Sequence, residues 1–228
     1  MGKKSRKPIE FYSVFLASLI NDGKFDPGQR VAIEKFTREY TKTLRGMSPG
    51  KGRALWLHRE LDSVNSQRRD IEKLDESDVS CKKGCSHCCH YSVGVTNDEA
   101  DLLQDKLRSM IRGGLMDKKA VMEKLEYQAP LDYKEYNKIS REESACVFLK
   151  DGACSVYDER PMACRNFLVV SDPKGCIPVN GETPVAERLV NLQAEILDSA
   201  GQRANLGRHP KTQSMAKMLF NRLKGVKL

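Results

Sequence analysis

The sequence predicts a mainly α protein, a helical bundle around a small cysteine-rich core that contains one short β-hairpin. Three observations carry this. Apolar residues recur at helical spacing on both sides of the chain's middle. Strand-like alternation stands out only between Cys146 and Tyr157. All eight cysteines fall between Cys81 and Cys176, four of them within Cys81 to Cys89. At 228 residues the chain is long enough to bury most of its apolar surface without cross-links, so thiols in such density call for a chemical explanation. Three regions follow: an N-terminal helical region over 1–78, a cysteine-cluster domain over 79–180, and a basic helical region over 181–228 that packs on the core.

In chain order, Ile9, Tyr12, Leu16 and Leu19 form the first stripe, which stops at Asn21-Asp22-Gly23. Asp26-Pro27 reads as N-cap and first-turn proline of a second helix, with Ala32, Phe36, Tyr40 and Leu44 on its apolar face. Ser48 to Gly52 is a loop, and a third helix carries Leu57, Leu61, Val64, Ile71 and Leu74, with Trp56 as core. Thr96-Asn97-Asp98-Glu99 is a capping box opening a helix with Leu103, Leu107 and Met110 or Ile111, ended by Gly113-Gly114. Asp117 caps a short helix with Val121 and Leu125, and 131–144 has no clear period and reads as loop. After the hairpin, Pro161 opens a helical turn with Cys164 and Phe167, and Ser171 to Cys176 is loop. Thr183-Pro184 then opens a helix with Val185, Leu189, Leu192 and Ile196, and Met215, Leu219 and Leu223 line a last, basic helix, its methionines acting as core filler.

Charge and hydropathy narrow the classes. No apolar run reaches the eighteen or so residues of a membrane span, and no hydrophobic leader follows the N-terminal charges. The expectation is a cytoplasmic, reducing setting, in which cysteines act as thiolate ligands rather than disulfides. The net charge of +8 is concentrated after Gly201, where Arg203, Arg208, Lys211, Lys217, Arg222, Lys224 and Lys227 meet no acidic residue. Such a tail can dock on nucleic acid, but the absence of interleaved aromatics favours a solvated helix face.

The chemistry concentrates in Cys81-x3-Cys85-x2-Cys88, followed at once by Cys89. Thiolates two or three residues apart converge on one metal because the intervening turn points both sulfurs inward. The candidate ligands are Cys81, Cys85, Cys88, Cys89, Cys146, Cys154, Cys164 and Cys176, enough for two four-coordinate sites or one cluster plus a further set. Three loop ligands leave a tetrahedral metal one short, so the downstream thiols are expected to meet them in one site. Cys88 and Cys89 diverge unless the loop is sharply bent. His87 and His90 read as supporting or surface residues, and Arg160 and Arg165 either offset thiolate charge or tie the turn before Pro161. A two-residue Asp151-Gly152 turn pairs Leu149 with Cys154 and sends Cys146 to the opposite face; a three-residue turn pairs Phe148 with Cys154 and brings both thiols to one face. If Cys146 and Cys154 share a site, the three-residue turn is expected.

The run Cys81-x3-Cys85-x2-Cys88-Cys89, with Cys146-Val147-Phe148-Leu149, Gly152-Ala153-Cys154-Ser155-Val156-Tyr157-Asp158-Glu159-Arg160-Pro161 and Cys164-Arg165-Asn166-Phe167, resembles the bacterial YkgJ-type cysteine-cluster proteins. These are known as zinc- or iron-chelating domains and iron-sulfur oxidoreductases, and flagellin lysine N-methylase shares the pattern. The first spacing here is three residues where that family's name emphasises two. The resemblance implies a zinc or iron-sulfur centre with a redox or accessory role toward an unidentified protein partner or substrate. Alternatives are a protein (lysine) methyltransferase or other S-adenosylmethionine enzyme, and a zinc-stapled nucleic-acid-binding module. Against the former stand the missing βα repeats and the missing Gly-rich nucleotide loop.

Overall fold

The computed structural model describes residues 13–75, 77–177, 186–205 and 212–226. Those residues form a mainly helical protein with two small two-stranded sheets. Helix α1 (Val14–Asn21) is capped by Ser13, whose hydroxyl accepts the Leu16 N–H. It buries Leu16 and ends at Gly23, whose φ of 72° suits the turn. Ile9 and Tyr12 of its expected stripe lie outside the described residues. Helix α2 (Pro27–Gly46) starts as expected, with Asp26 and Gln29 reciprocally bonded as a capping box. Its buried face is Ile33, Thr37, Thr41 and Leu44, whereas Ala32 is exposed and Phe36 is 49% exposed. The apolar stripe is rotated because two threonines can be buried when their hydroxyls donate to the carbonyl one turn back: Thr37 to Ile33 at 2.7 Å and Thr41 to Thr37 at 2.6 Å.

Helix α3 (Lys51–Glu72) begins inside the expected loop and buries Leu57 and Leu61, with Trp56 and Val64 half-buried against them; Ile71 is 72% exposed. It also buries Arg53, His58 and Asn65, a polar face that an apolar stripe cannot reveal. Helix α4 (Asn97–Arg112) carries the predicted capping box, and α5 (Lys118–Gln128) the Asp117 cap. The expected loop over 131–144 contains two one-turn helices, α6 (Tyr133–Tyr136) and α7 (Arg141–Ser144). Each is closed by its own capping box, Asp132 with Glu135 and Ser140 with Glu143. A single turn is too short to show a period, but its caps satisfy the free backbone donors.

Strand β1 (Gly94–Val95) forms an unpredicted antiparallel pair with β4 (Gln213–Ser214), seating the last helix, α10 (Met215–Leu223), beside the cysteine loop. The hairpin of β2 (Leu149–Lys150) and β3 (Ala153–Cys154) uses the two-residue turn, with Leu149 opposite Cys154 and positive φ at both Asp151 and Gly152. This overturns the expected three-residue register. Helix α8 (Met162–Arg165) follows with Pro161 as its cap residue, and a 3-10 turn (Pro173–Cys176) lies within the expected loop. The proposed opening at Thr183-Pro184-Val185 lies outside the described residues. Beyond it, 186–190 is extended, with Arg188 bridged to Val169, and α9 (Leu192–Ala204) starts at an Asn191 cap. Leu189 therefore belongs to an extended segment: its N–H donates to the Leu168 carbonyl.

Three apolar clusters organise the packing. Helices α4, α5 and α10 enclose Phe148, Val147 and Val156 of the hairpin region, while α2, α3, α8 and α9 share a second cluster around Leu61 and Leu197. A third joins Leu16, Ile33 and Ile196. Helices α3 and α9 approach closely at Gly201, where a β-carbon would lie 2.5 Å from Leu57 Cδ2. A buried ion pair, Arg53 with Asp98, ties α3 to α4. Asp98 also accepts the Gly50 N–H at 2.7 Å and the Asn205 amide at 3.1 Å. Among the described residues no helix is long and apolar enough to cross a membrane.

Candidate metal centre

The cysteine loop is held mostly by backbone bonds. Ser80 N–H donates to Val169 C=O and Ser80 Oγ to Ser171 C=O, laying the entry to the loop along 167–171. Cys85 N–H closes a turn onto Lys82 C=O, with Gly84 at φ 97°. His87–His90 is then a single 3-10 turn. A 3-10 turn advances about 120° per residue. Adjacent Cys88 and Cys89 therefore diverge less than the opposite-facing neighbours of a strand, and both line one cavity.

That cavity, of about 70 Å³, is lined by Cys81, Cys85, Cys88, Cys89, Cys146, Cys154 and Cys164. Cys146 arrives because its N–H donates to Cys89 C=O at 2.8 Å. It precedes a turn closed by Leu149 N–H on its own carbonyl, so the two-residue strand alternation never reaches it. Cys146 and Cys154 therefore line one cavity in the register expected to separate them. Cys164 sits on α8, whose first N–H, that of Met162, donates to Glu99 Oε1 at 2.7 Å. Cys176 is buried but not on the cavity wall, and its carbonyl accepts the Tyr91 hydroxyl. His87 and His90 are absent from the lining; His90 Nδ1 donates to Arg141 C=O at 2.8 Å.

The remaining wall is apolar, with Val93, Phe148, Val156, Leu168 and Met215, plus the cations Lys82 and Arg160. Burial pushes the Cys81 thiol up to about 11 and that of Cys146 up to about 12, with neighbouring sulfurs adding to the rise. Cys88 is raised first by its hydrogen bond with Cys89 and then by burial, and burial raises Cys154 and Cys164. Cys176 rises to about 11 by burial and the field of Cys81, Cys88 and Cys85. Arg160 opposes the rise at Cys81, Cys88 and Cys154.

The two arginines differ in role. Arg165 is buried and fully engaged: Nε donates to Arg160 C=O at 2.9 Å, Nη1 pairs with Asp62, and Nη2 donates to Asp158 C=O. It staples α3 to the turn before α8. Arg160 lies 3.8 Å over the Tyr157 ring and donates through Nη1 to Tyr157 C=O, leaving its other nitrogens to the cavities. Glu99, read from sequence as a helix cap alone, was the positioning residue that pattern missed. Its second carboxylate oxygen reaches α8 across 63 positions.

Thiol sulfur is the donor for zinc and iron-sulfur centres, and among the described residues no carboxylate lines the cavity, so the donor set fits them and does not fit a hard cation. Among the described residues no three Cys, His, Asp or Glu side chains already converge on a single ion position. Cys81 Sγ instead donates to Phe167 C=O at 3.1 Å and accepts Val169 N–H at 3.3 Å. No curated protein and no solved structure matches the chain. Residues 80–177 match the family CxxCxxCC, described as "Putative zinc- or iron-chelating domain". This central segment, with all eight cysteines, is therefore similar to that cysteine-cluster family, and it is set between helices that the match does not cover.

Proposed function

We propose that the thiol cavity holds an iron-sulfur cluster and that the protein serves a redox or accessory role through it. The observation that carries this is the ring of seven sulfurs around one cavity that no carboxylate lines among the described residues. A zinc tetrahedron takes four ligands converging on a point, whereas a cluster spreads its cysteine ligands around a polyatomic core. A ring of seven sulfurs is more than one zinc tetrahedron uses and suits the latter. Cys81, Cys85, Cys88, Cys89, Cys146, Cys154 and Cys164 are the ligand candidates, and Cys176 is a reserve thiol behind the wall. The metal would supply electron transfer or Lewis acidity. The chain's own groups supply the thiols, the offsetting charges of Lys82 and Arg160, and an apolar wall that limits water.

The nucleic-acid alternative receives less support. Arg203 pairs with Glu34, and Arg222 with Asn97 and Asp101, so those cations of the basic tail serve the fold. Purification without oxygen tests the proposal. Brown protein with iron and acid-labile sulfide is expected; colourless protein with stoichiometric zinc would replace the cluster by zinc, and protein with neither would refute a metal centre.

A further inference from the structure

A second cavity, of about 360 Å³, abuts the thiol cavity and shares four wall residues with it: Cys81, Tyr157, Arg160 and Leu168. Its size is in the range of small-molecule sites, near 300–1,000 Å³. Its chemistry differs from its neighbour's. Helix α3 contributes Asp62, Asn65 and Arg69, and the turn before α8 contributes Asp158 and Arg165. Arg165 is consumed by Asp62 and by two carbonyls. Arg69 has no side-chain partner among the described residues, and Arg160 commits only Nη1. Buried Asn65 accepts the Asn191 amide through Oδ1, and its own amide protons meet no acceptor among the described residues. Among the described residues three guanidiniums stand against two exposed carboxylates, so one positive charge is uncompensated along this open cleft. Arginine forks match carboxylate geometry, and one net charge favours a monoanion over a dianion.

We propose that this cavity binds a small organic monocarboxylate, gripped by Arg69 and Arg160 with the Asn65 amide beside them. Its apolar end would run along Val79 and Leu168 toward Cys81. Binding requires only the arginine pair; that the ligand's far end meets a metal centre rests on the function proposed above.

The test is calorimetric titration of the full-length protein at low salt with butyrate, inorganic phosphate and n-butylammonium, each sample also assayed for iron, sulfide and zinc. Butyrate should bind saturably at one site, and Arg69→Ala should weaken it at least tenfold with metal content unchanged. Arg69→Lys should restore part of the affinity, since it keeps the charge and loses the fork. Arg160→Gln should weaken binding similarly, and butylammonium should not bind. Absence of saturable butyrate binding in metal-containing protein, equal affinity in Arg69→Ala, or tighter binding of phosphate than of butyrate would each overturn the proposal. Butyrate binding by protein without metal would uphold it and sink the metal reading alone.

Discussion

Replacing Glu99 by alanine should cost the fold far more than the loss of a helix cap, and should loosen the thiol site with it. The buried carboxylate accepts the Thr96 N–H at 2.8 Å, the Thr96 hydroxyl at 2.9 Å and, through its other oxygen, the Met162 N–H at 2.7 Å. Removing a buried acceptor strands its donors at about 1–3 kcal/mol each. The two backbone donors, with the cap itself, make a loss of about 3–5 kcal/mol reasonable, against a whole-protein stability on the order of 5–15 kcal/mol. Glu99→Gln keeps one oxygen and should lose roughly 1–2 kcal/mol. Urea unfolding gives the stability, and bound metal per chain reports on Cys164, which α8 carries two residues after Met162.

The same carboxylate sets an acid signature. Burial pushes the Glu99 pKa up, but His58 and the Thr96 and Met162 N–H groups outweigh it and hold the carboxyl below its ordinary range. Its stabilising share is therefore complete above the unfolded value of about 4 and is lost as pH falls through the lower folded value. Wild type and Glu99→Gln should converge in stability in acid. If Glu99→Ala unfolds within about 0.5 kcal/mol of wild type, the size of an ordinary surface change, or retains full metal at reduced stability, the coupling of cap to cluster is wrong.

Four further outcomes follow from the structure. Asp98→Ala leaves Arg53 charged and buried without its partner, which should cost about 3–5 kcal/mol by urea melt. Asp198 is pushed up to about 7 by burial and by Glu195 and Glu99; it is protonated in the fold and ionised in the unfolded chain between about 4 and that value, so stability falls as pH rises across the window. Asp198→Asn should accordingly raise the Tm at pH 8 and change it little at pH 4. Gly152→Val forces a branched residue to φ 73° and should lose roughly 1 kcal/mol or more, with any loss of metal confined to what displacing Cys154, two residues on, costs, since Cys146 is fixed by Cys89 C=O and not by the hairpin. Chelation should speed hydrogen exchange at the amides of Cys85 and Cys89 while those of α2 and α9 stay protected; unchanged exchange at the loop after complete metal removal would show that the metal does not order it.

The helices were legible where local chemistry decides them. Asp26-Pro27 and Thr96-x-x-Glu99 each carry their own start signal, and both helices begin there. The stripe of α2 was misplaced by one position because periodicity counts threonine as polar, although its hydroxyl can be satisfied within the helix. Residues 131–144 failed as a loop for the opposite reason: their signals are caps without a period. The pairing of β1 with β4 joins residues more than a hundred positions apart, and nothing local encodes it. The cysteine spacing exposed the chemistry of the centre, but Glu99 and Arg69 acquire their roles only through contacts between distant segments.

The hairpin shows why the thiols could converge despite a register that was expected to part them. Alternation constrains side chains only as far as a strand extends, and β2 and β3 are two residues each. Outside that span the positions of the cysteines are set one at a time: Cys89 by a 3-10 turn, Cys146 by a bond to Cys89, Cys164 by Glu99, and the 167–171 segment by Ser80. The tie at Glu99 joins α4 to α8, and each of these helices has apolar support of its own. The thiols are thereby gathered around one cavity by protein contacts, which divides the residues into those that build the scaffold and those that face the cavity. The two arginine roles fit the same division: Arg165, saturated with bonds, belongs to the scaffold, and Arg160, open on two sides, belongs to whatever enters.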